Sequence, residues 1–205
     1  MKIYEDRQAP NPRRVRIFLA EKGIEMRFEQ VEFMAAEHKT GDFKVKNPLQ
    51  EVPVLELDDG THLSETVAIC RYFEGLYPDP PLLGQPGDAL DLARTDMWQR
   101  RIEFKILAPV VAAFRHLHPA MAPFQVPQVR EWGEANTETA GSMLDWLDQE
   151  LANRPYMAGV RYSIADITAL VAVDFARVAH IKPLEGRSHL ARWHGAVSAR
   201  DSAKA

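Results

Sequence analysis

Val52-Pro53-Val54-Leu55-Glu56-Leu57-Asp58-Asp59-Gly60-Thr61-His62-Leu63-Ser64-Glu65-Thr66 holds two strand-like runs around a turn signal, followed by a helix start. Val52–Leu57 and Thr61–Leu63 have the composition of short strands. Asp58-Asp59-Gly60 between them is a turn signal, because glycine accepts the positive φ that a tight reversal needs. These residues predict an antiparallel hairpin. Ser64-Glu65-Thr66 then precedes the apolar run Val67–Phe73. Ser64 reads as an N-cap, and Glu65 in the first turn suits the positive end of a helix dipole. The helix must stop before Pro78, since the residue ahead of a proline is pushed out of helical geometry.

Upstream, Met1–Tyr4 reads as a strand, and a helix is expected from Pro12 to about Lys22. Its apolar positions Val15, Phe18 and Leu19 recur at the spacing of one helix face, and Gly23 supplies the stop. Met26–Glu32 reads as a second strand, parallel to the first. The order β-α-β followed by β-β-α is that of a thioredoxin-like unit. Residues 79–88 are rich in proline and glycine and read as a linker. Beyond them strand signals nearly vanish. Helical patterns cover Ala89–His116, with a kink expected at Pro109, then Val129–Asn153, Ser163–His180 and His189–Ala199. Residues 115–128 contain three prolines and read as a loop or broken helix. The expected fold class is α/β plus all-α: a thioredoxin-like domain over 1–78, a linker over 79–88, and an all-helical domain over 89–205.

Bulk properties exclude several function classes. The chain has 205 residues, 46% of them hydrophobic and 26% charged, with a net charge of -4 and a pI near 6.0. No basic excess points to nucleic acid, and no polybasic patch points to a membrane surface. No apolar run approaches the ~20 residues of a spanning helix, and the opening strand reads as no signal peptide. A single cysteine, Cys70, rules out an internal disulfide framework, so the expected location is the cytoplasm. Cys70 lies mid-helix in an apolar stretch and reads as a small buried hydrophobe. His116 and His118 have no nearby cysteine or carboxylate, so no metal site is expected.

Three places carry candidate chemistry. A cis bond at Val52-Pro53 would turn the chain and present the Val52 backbone to a ligand; the alternative is a trans proline on an edge strand. The helix start at Ser64-Glu65-Thr66 offers free N–H groups to a carboxylate, the Thr66 hydroxyl as a further donor, and Glu65 as an acceptor for an amine. One amino-acid head group carries both charges; simple capping would also explain these residues. Asn11 ahead of Pro12 reads as an N-cap with proline at the first helical position. Its amide N–H₂ can at the same time point at a ligand sulfur, and the helix's positive end would favour a thiolate there. In the second half, Ser163-Ile164-Ala165-Asp166 fits a capping-box variant, a structural element without a catalytic role.

Asn47-Pro48-Leu49-Gln50-Glu51-Val52-Pro53, the Glu65-Thr66 pair, Asn11-Pro12-Arg13-Arg14-Val15 and the Ser163–Asp166 box together resemble the glutathione S-transferase family, in its cytosolic, bacterial-type form. The resemblance spans nearly the whole chain. It implies that Pro53 is cis, that Val52 pairs its backbone with the cysteinyl part of glutathione, and that Glu65 and Thr66 hold the γ-glutamyl end. It implies that Lys39, with His38 second, meets the glycine carboxylate, and that Ala9 and Glu51 complete the glutathione contacts. Ala9 stands where the family's pattern has a serine or cysteine, and alanine can neither donate to a thiolate nor form a mixed disulfide. Asn11 is then the expected activator of the thiol, with Tyr4 as the alternative. A second-substrate site is expected between the Ala9–Asn11 loop and the first long helix, lined by Arg101, Phe104, Ala108 and Arg115.

The implied function is conjugation of the glutathione thiolate to hydrophobic electrophiles, a detoxification reaction with glutathione as co-substrate and no other cofactor. A homodimer is the implied assembly. Alternatives are a glutathione-dependent disulfide or peroxide reductase, and a non-catalytic binder of glutathione or hydrophobic ligands. A structural or translation-associated domain of the same fold would bind glutathione weakly, which the intact Glu65-Thr66 pair argues against.

Overall fold

Four strands form one sheet, β1 (Lys2–Glu5), β2 (Phe28–Gln30), β3 (Val54–Glu56) and β4 (His62–Leu63), in the spatial order β2-β1-β3-β4. A computed structural model describes all residues from Met1 to Ala205. β1 runs parallel to β2 with Ile3 beside Phe28, and antiparallel to β3 with Tyr4 beside Val54. β3 and β4 form the predicted hairpin, closed by Gly60 at φ 84°. The helices of this unit are α1 (Pro10–Glu21), α2 (Gly41–Lys46) and α3 (Thr66–Leu76). The thioredoxin-like order is therefore present. The six-residue α2 is an addition the sequence reading did not foresee; Thr40 caps it by accepting from the Phe43 N–H.

Alternation along β1 sorts the layers. Ile3 and Glu5 face one side, where the Arg16 guanidinium of α1 donates to the Glu5 carboxylate at 2.5 Å, both groups buried. α3 packs beside α1. Tyr4 faces the other side, against Phe43 of α2 in an edge-to-face contact with ring centres 6.3 Å apart.

Two helix starts correct the sequence reading. α1 begins at Pro10, two residues earlier than expected, so Ala9 is its N-cap and Asn11 lies inside the first turn. α3 begins at Thr66 with Glu65 as N-cap, so Ser64 is not the cap. Both prolines of Pro10-Asn11-Pro12 are compatible with a first turn, where amide hydrogens have no intrahelical partner. The earlier one sets the start.

The chain divides into two compact units, Met1–Leu82 with Lys204–Ala205, and Leu83–Ala203. The second unit contains α4 (Ala89–Ile102), α5 (Ala108–Leu117), α6 (Arg130–Glu150), α7 (Ile164–Val178) and α8 (Ser188–Ser198). The kink expected at Pro109 appears upstream, as a π-helical turn over Glu103–Leu107 in which the Ala108 N–H reaches back to the Glu103 carbonyl. Pro109 has no N–H for the carbonyl four residues back, and the widened turn takes up that defect. Every residue from Ser163 to Val173 is buried, so α7 is the axis of this unit.

The capping box at its start is formed as expected. The fully buried Asp166 carboxylate accepts at Oδ1 from the Met157 N–H and the Trp193 Nε1–H, both at 2.9 Å. At Oδ2 it accepts from the Ser163 N–H at 3.0 Å and the Ser163 hydroxyl at 3.1 Å. Helices α5 and α6 meet closely at Gly133, where an added Cβ would stand 2.6 Å from Leu117 Cγ and 3.1 Å from His116 Cβ. Gly133→Ala is therefore expected to destabilise by about 1–3 kcal/mol through overpacking, despite alanine's better helix propensity. A denaturant midpoint lowered at constant slope checks this.

Candidate functional site

Strand register brings the sequence-predicted segments to one end of the sheet. Extending the pairs Tyr4–Val54, Glu5–Gln30 and Leu55–Leu63 by two residues places the loop after β1, the segment after β2, the Val52-Pro53 bond before β3 and Glu65 after β4 at the same edge. The N-termini of α1 and α3 open there too. Neither has a side-chain cap hydrogen bond or an acidic residue in its first turn, so the first-turn N–H groups at both positive ends take no side-chain cap. Carboxylates and thiolates are the ligands such an edge favours.

At α1, the turn from Asp6 is closed by the Ala9 N–H donating to the Asp6 carbonyl at 3.0 Å. With Pro10 and Pro12 lacking amide hydrogens, Asn11 is the one residue of the first three helical positions with an N–H to offer. Its side chain is oriented from behind: Arg14 Nη1 donates to Asn11 Oδ1 at 3.1 Å. A guanidinium only donates, so the amide oxygen faces Arg14 and the N–H₂ faces away. Asn11 thus combines two donors, backbone and side chain, at the positive end of a helix. Ala9 and Asn11 are both half-buried.

Before β3, Asn47 is 3% exposed and shapes the chain by donating Nδ2 to the Glu51 carbonyl at 2.9 Å and accepting from the Leu49 N–H at 3.1 Å. The Val52-Pro53 bond is cis, and no group of the chain takes up the Val52 main-chain N–H or C=O. Glu51 is exposed and Pro53 buried. After β4, Glu65 has φ 69° and ψ 116°, a conformation that strains a residue with a Cβ. Such strain costs on the order of 1–3 kcal/mol and gathers where function holds it in place. Here the strained residue is exposed and directly precedes the buried Thr66.

The segment after β2 splits the remaining pair. Lys39 is exposed and no carboxylate of the chain pairs with it, whereas His38 is 2% exposed and stacked on Phe33 with ring centres 4.2 Å apart. Tyr4 is on the sheet face opposite α1, and its hydroxyl donates to Glu56 at 2.6 Å. Burial, and then the bond to Glu56, push that hydroxyl above the ordinary tyrosine range. In the second unit, Arg101, Phe104, Ala108 and Arg115 are exposed along α4, the π turn and α5, with the Arg101 guanidinium 5.1 Å from the centre of the Trp98 ring.

Other polar groups form no comparable site. His116 Nδ1 accepts from the Val129 N–H and His118 Nδ1 from the Ala120 N–H, so each ring fixes a turn. No three His, Cys, Asp or Glu side chains are grouped to hold a metal ion. Asp174, His194 and Ser198 have the residue types of a hydrolase triad. The serine oxygen, however, stands 3.4 and 3.5 Å from the two ring nitrogens, on neither lone pair, and Asp174–His194 at 2.8 Å is a tie between α7 and α8. The sequence singles out no role for Asp6, and Asn47 and Arg14 stand in the quoted motifs without the supporting bonds seen here. An aspartate closing a strand ahead of a turn is a recognisable signal for the first; nothing local signals the other two.

Residues 1–75 match the family model described as the glutathione S-transferase N-terminal domain, and residues 130–196 match that of its C-terminal domain. Glutathione S-transferase 2 of Saccharomyces cerevisiae is 36% identical over 100% of this chain and 88% of its own length. Among solved structures, a glutathione S-transferase domain-containing protein of Marinobacter aquaeolei superposes with a TM-score of 0.94 at 39% identity, covering 98% of this chain and 99% of that one. Gtt2 of Saccharomyces cerevisiae superposes with a TM-score of 0.94 at 36% identity, covering 100% and 99%.

Proposed function

The chain belongs to the glutathione S-transferase family, and we propose that it binds glutathione across the sheet edge described above and conjugates its sulfur to a hydrophobic electrophile. The observation that carries this reading is the convergence of two uncapped helix N-termini with an unpaired main-chain segment at Val52. The γ-glutamyl head group sits at α3, its carboxylate on the first-turn N–H groups and the Thr66 hydroxyl, its ammonium on Glu65. The cysteinyl amide pairs with Val52, beside Glu51 and Pro53. The glycine carboxylate meets Lys39, with the His38 ring packed beneath the same segment. The sulfur then lies over Ala9 and Asn11.

A free thiol with a pKa near ~8.5 is mostly protonated at neutral pH. Asn11 supplies two N–H donors and the α1 dipole supplies positive potential, which together favour the thiolate without a hydroxyl at position 9. The thiolate attacks the electrophilic carbon, forming the C–S bond as a leaving group departs or an activated double bond takes up the electron pair. Asn11 is preferred over Tyr4 because the Tyr4 hydroxyl faces away from α1 and is engaged by Glu56. The second substrate lies along Arg101, Phe104 and Arg115. The working form is a cytoplasmic homodimer in detoxification. A reductase relying on a protein–glutathione mixed disulfide is disfavoured, since Ala9 provides no thiol.

Glu65→Gln tests the placement: removing one charge-assisted bond is expected to weaken glutathione binding about tenfold by calorimetry. Binding unchanged by this substitution would refute the head-group assignment.

A further inference from the structure

Asp6 takes no part in the contacts proposed for glutathione, yet it joins two loops of that edge. It is 8% exposed and directly follows β1. Its Oδ1 accepts from the Gln8 N–H at 2.8 Å, and its main-chain carbonyl accepts from the Ala9 N–H, so one residue shapes the turn that delivers Ala9 and Asn11. Its Oδ2 accepts from the Phe33 N–H at 3.1 Å, 27 positions along the chain. Phe33 is in turn stacked on His38, one residue before Lys39. Arg16 supports the same turn, donating Nη2 to the Arg7 carbonyl at 2.9 Å.

We infer that Asp6 is a positioning residue that locks the loop at the thiol end of the site to the loop at the glycine-carboxylate end, so that the protein measures the full length of the tripeptide. This rests on the glutathione reading above. The chemistry requires a carboxylate. Two main-chain donors approach two different oxygens, and only an ionised carboxyl offers acceptors on both without a hydrogen of its own. The geometry has a consequence for ligand choice. A thiol that spans both loops benefits from their fixed spacing; one that ends before Lys39 does not.

The test compares glutathione with γ-glutamylcysteine, which lacks the glycine, in calorimetric titrations of the full chain. The wild-type protein is expected to bind glutathione more tightly. In Asp6→Asn the amide N–H₂ meets one of the two donors, the local turn keeps the remaining oxygen, and the link to Phe33 is lost. Glutathione affinity should fall about tenfold, the effect of losing one charge-assisted bond, while γ-glutamylcysteine affinity changes much less. A role in stability alone would weaken both ligands alike. Equal losses, no loss, or a wild-type protein that does not distinguish the two thiols overturns the inference. Binding of neither thiol by the wild type overturns the glutathione reading and this inference with it. If Asp6→Asn does not fold, amide exchange in the wild type decides: the Gln8 and Phe33 amides should slow together on addition of glutathione, and independent changes refute the coupling.

Discussion

Asp166→Ala is expected to lower the unfolding free energy by about 3–5 kcal/mol, the scale of breaking a buried charged network. The substitution leaves the Met157, Ser163 and Trp193 N–H groups, and the Ser163 hydroxyl, without an acceptor in a site that no water reaches from the surface. These donors come from the segment before α7, from the α7 cap and from α8, so one carboxylate joins three parts of the helical unit. For a chain of this size the loss corresponds to a melting temperature lower by roughly 10 °C. All four tryptophans, Trp98, Trp132, Trp146 and Trp193, belong to this unit, so their fluorescence reports its unfolding. A change below about 1 kcal/mol would show that the network is dispensable.

The same residue sets a pH dependence. Burial pushes the Asp166 carboxyl up to about 6, against the pull of its four donors. In the unfolded chain an aspartate titrates near ~3.9. Between these values the folded protein holds the proton more tightly. The contribution is therefore complete below about pH 4 and is lost as pH rises through about 6. Asp166→Asn should remove that slope from a stability–pH profile.

The second large effect is expected at Asn11. Asn11→Ala keeps the main-chain N–H and removes the side-chain donor, and turnover should fall by about a hundredfold, as when one preorganised donor to a developing anion is deleted. Asn11→Asp sets a carboxylate against the sulfur and should raise the bound thiol pKa further than alanine does. Glutathione affinity should change little in Asn11→Ala at low pH, where the thiol is protonated in both states. Turnover unaffected by either substitution would remove Asn11 from the mechanism.

How much of this was legible in the chain differs by residue. The hairpin at 52–63, the βαβ unit and the helical second half follow from strand composition, the Asp58-Asp59-Gly60 turn and helical periodicity, and these are present in the fold. The start of α1 was misread because Pro10 and Pro12 carry the same local signal, and only tertiary packing chooses between them. The six residues of α2 are too few for periodicity to register. Pro109 announced a helix defect without its place, since the π turn forms upstream, around the carbonyl four residues back that Pro109 leaves without a donor. The strained Glu65 has no sequence signature, because it is imposed by the β4–α3 connection. Asn11 was found as a candidate, but its orientation depends on Arg14, one helical turn away. Asp6 acquires its partner, Phe33, only when the β1–β2 register exists.

Activation of a thiol at an edge with alanine at position 9 is what the proposed function depends on. The most direct test follows the thiolate absorbance of glutathione bound to the wild-type protein against pH. A bound pKa clearly below the ~8.5 of a free thiol is expected, rising toward that value in Asn11→Ala. Tight binding with an unshifted pKa, or no binding at all, would contradict it.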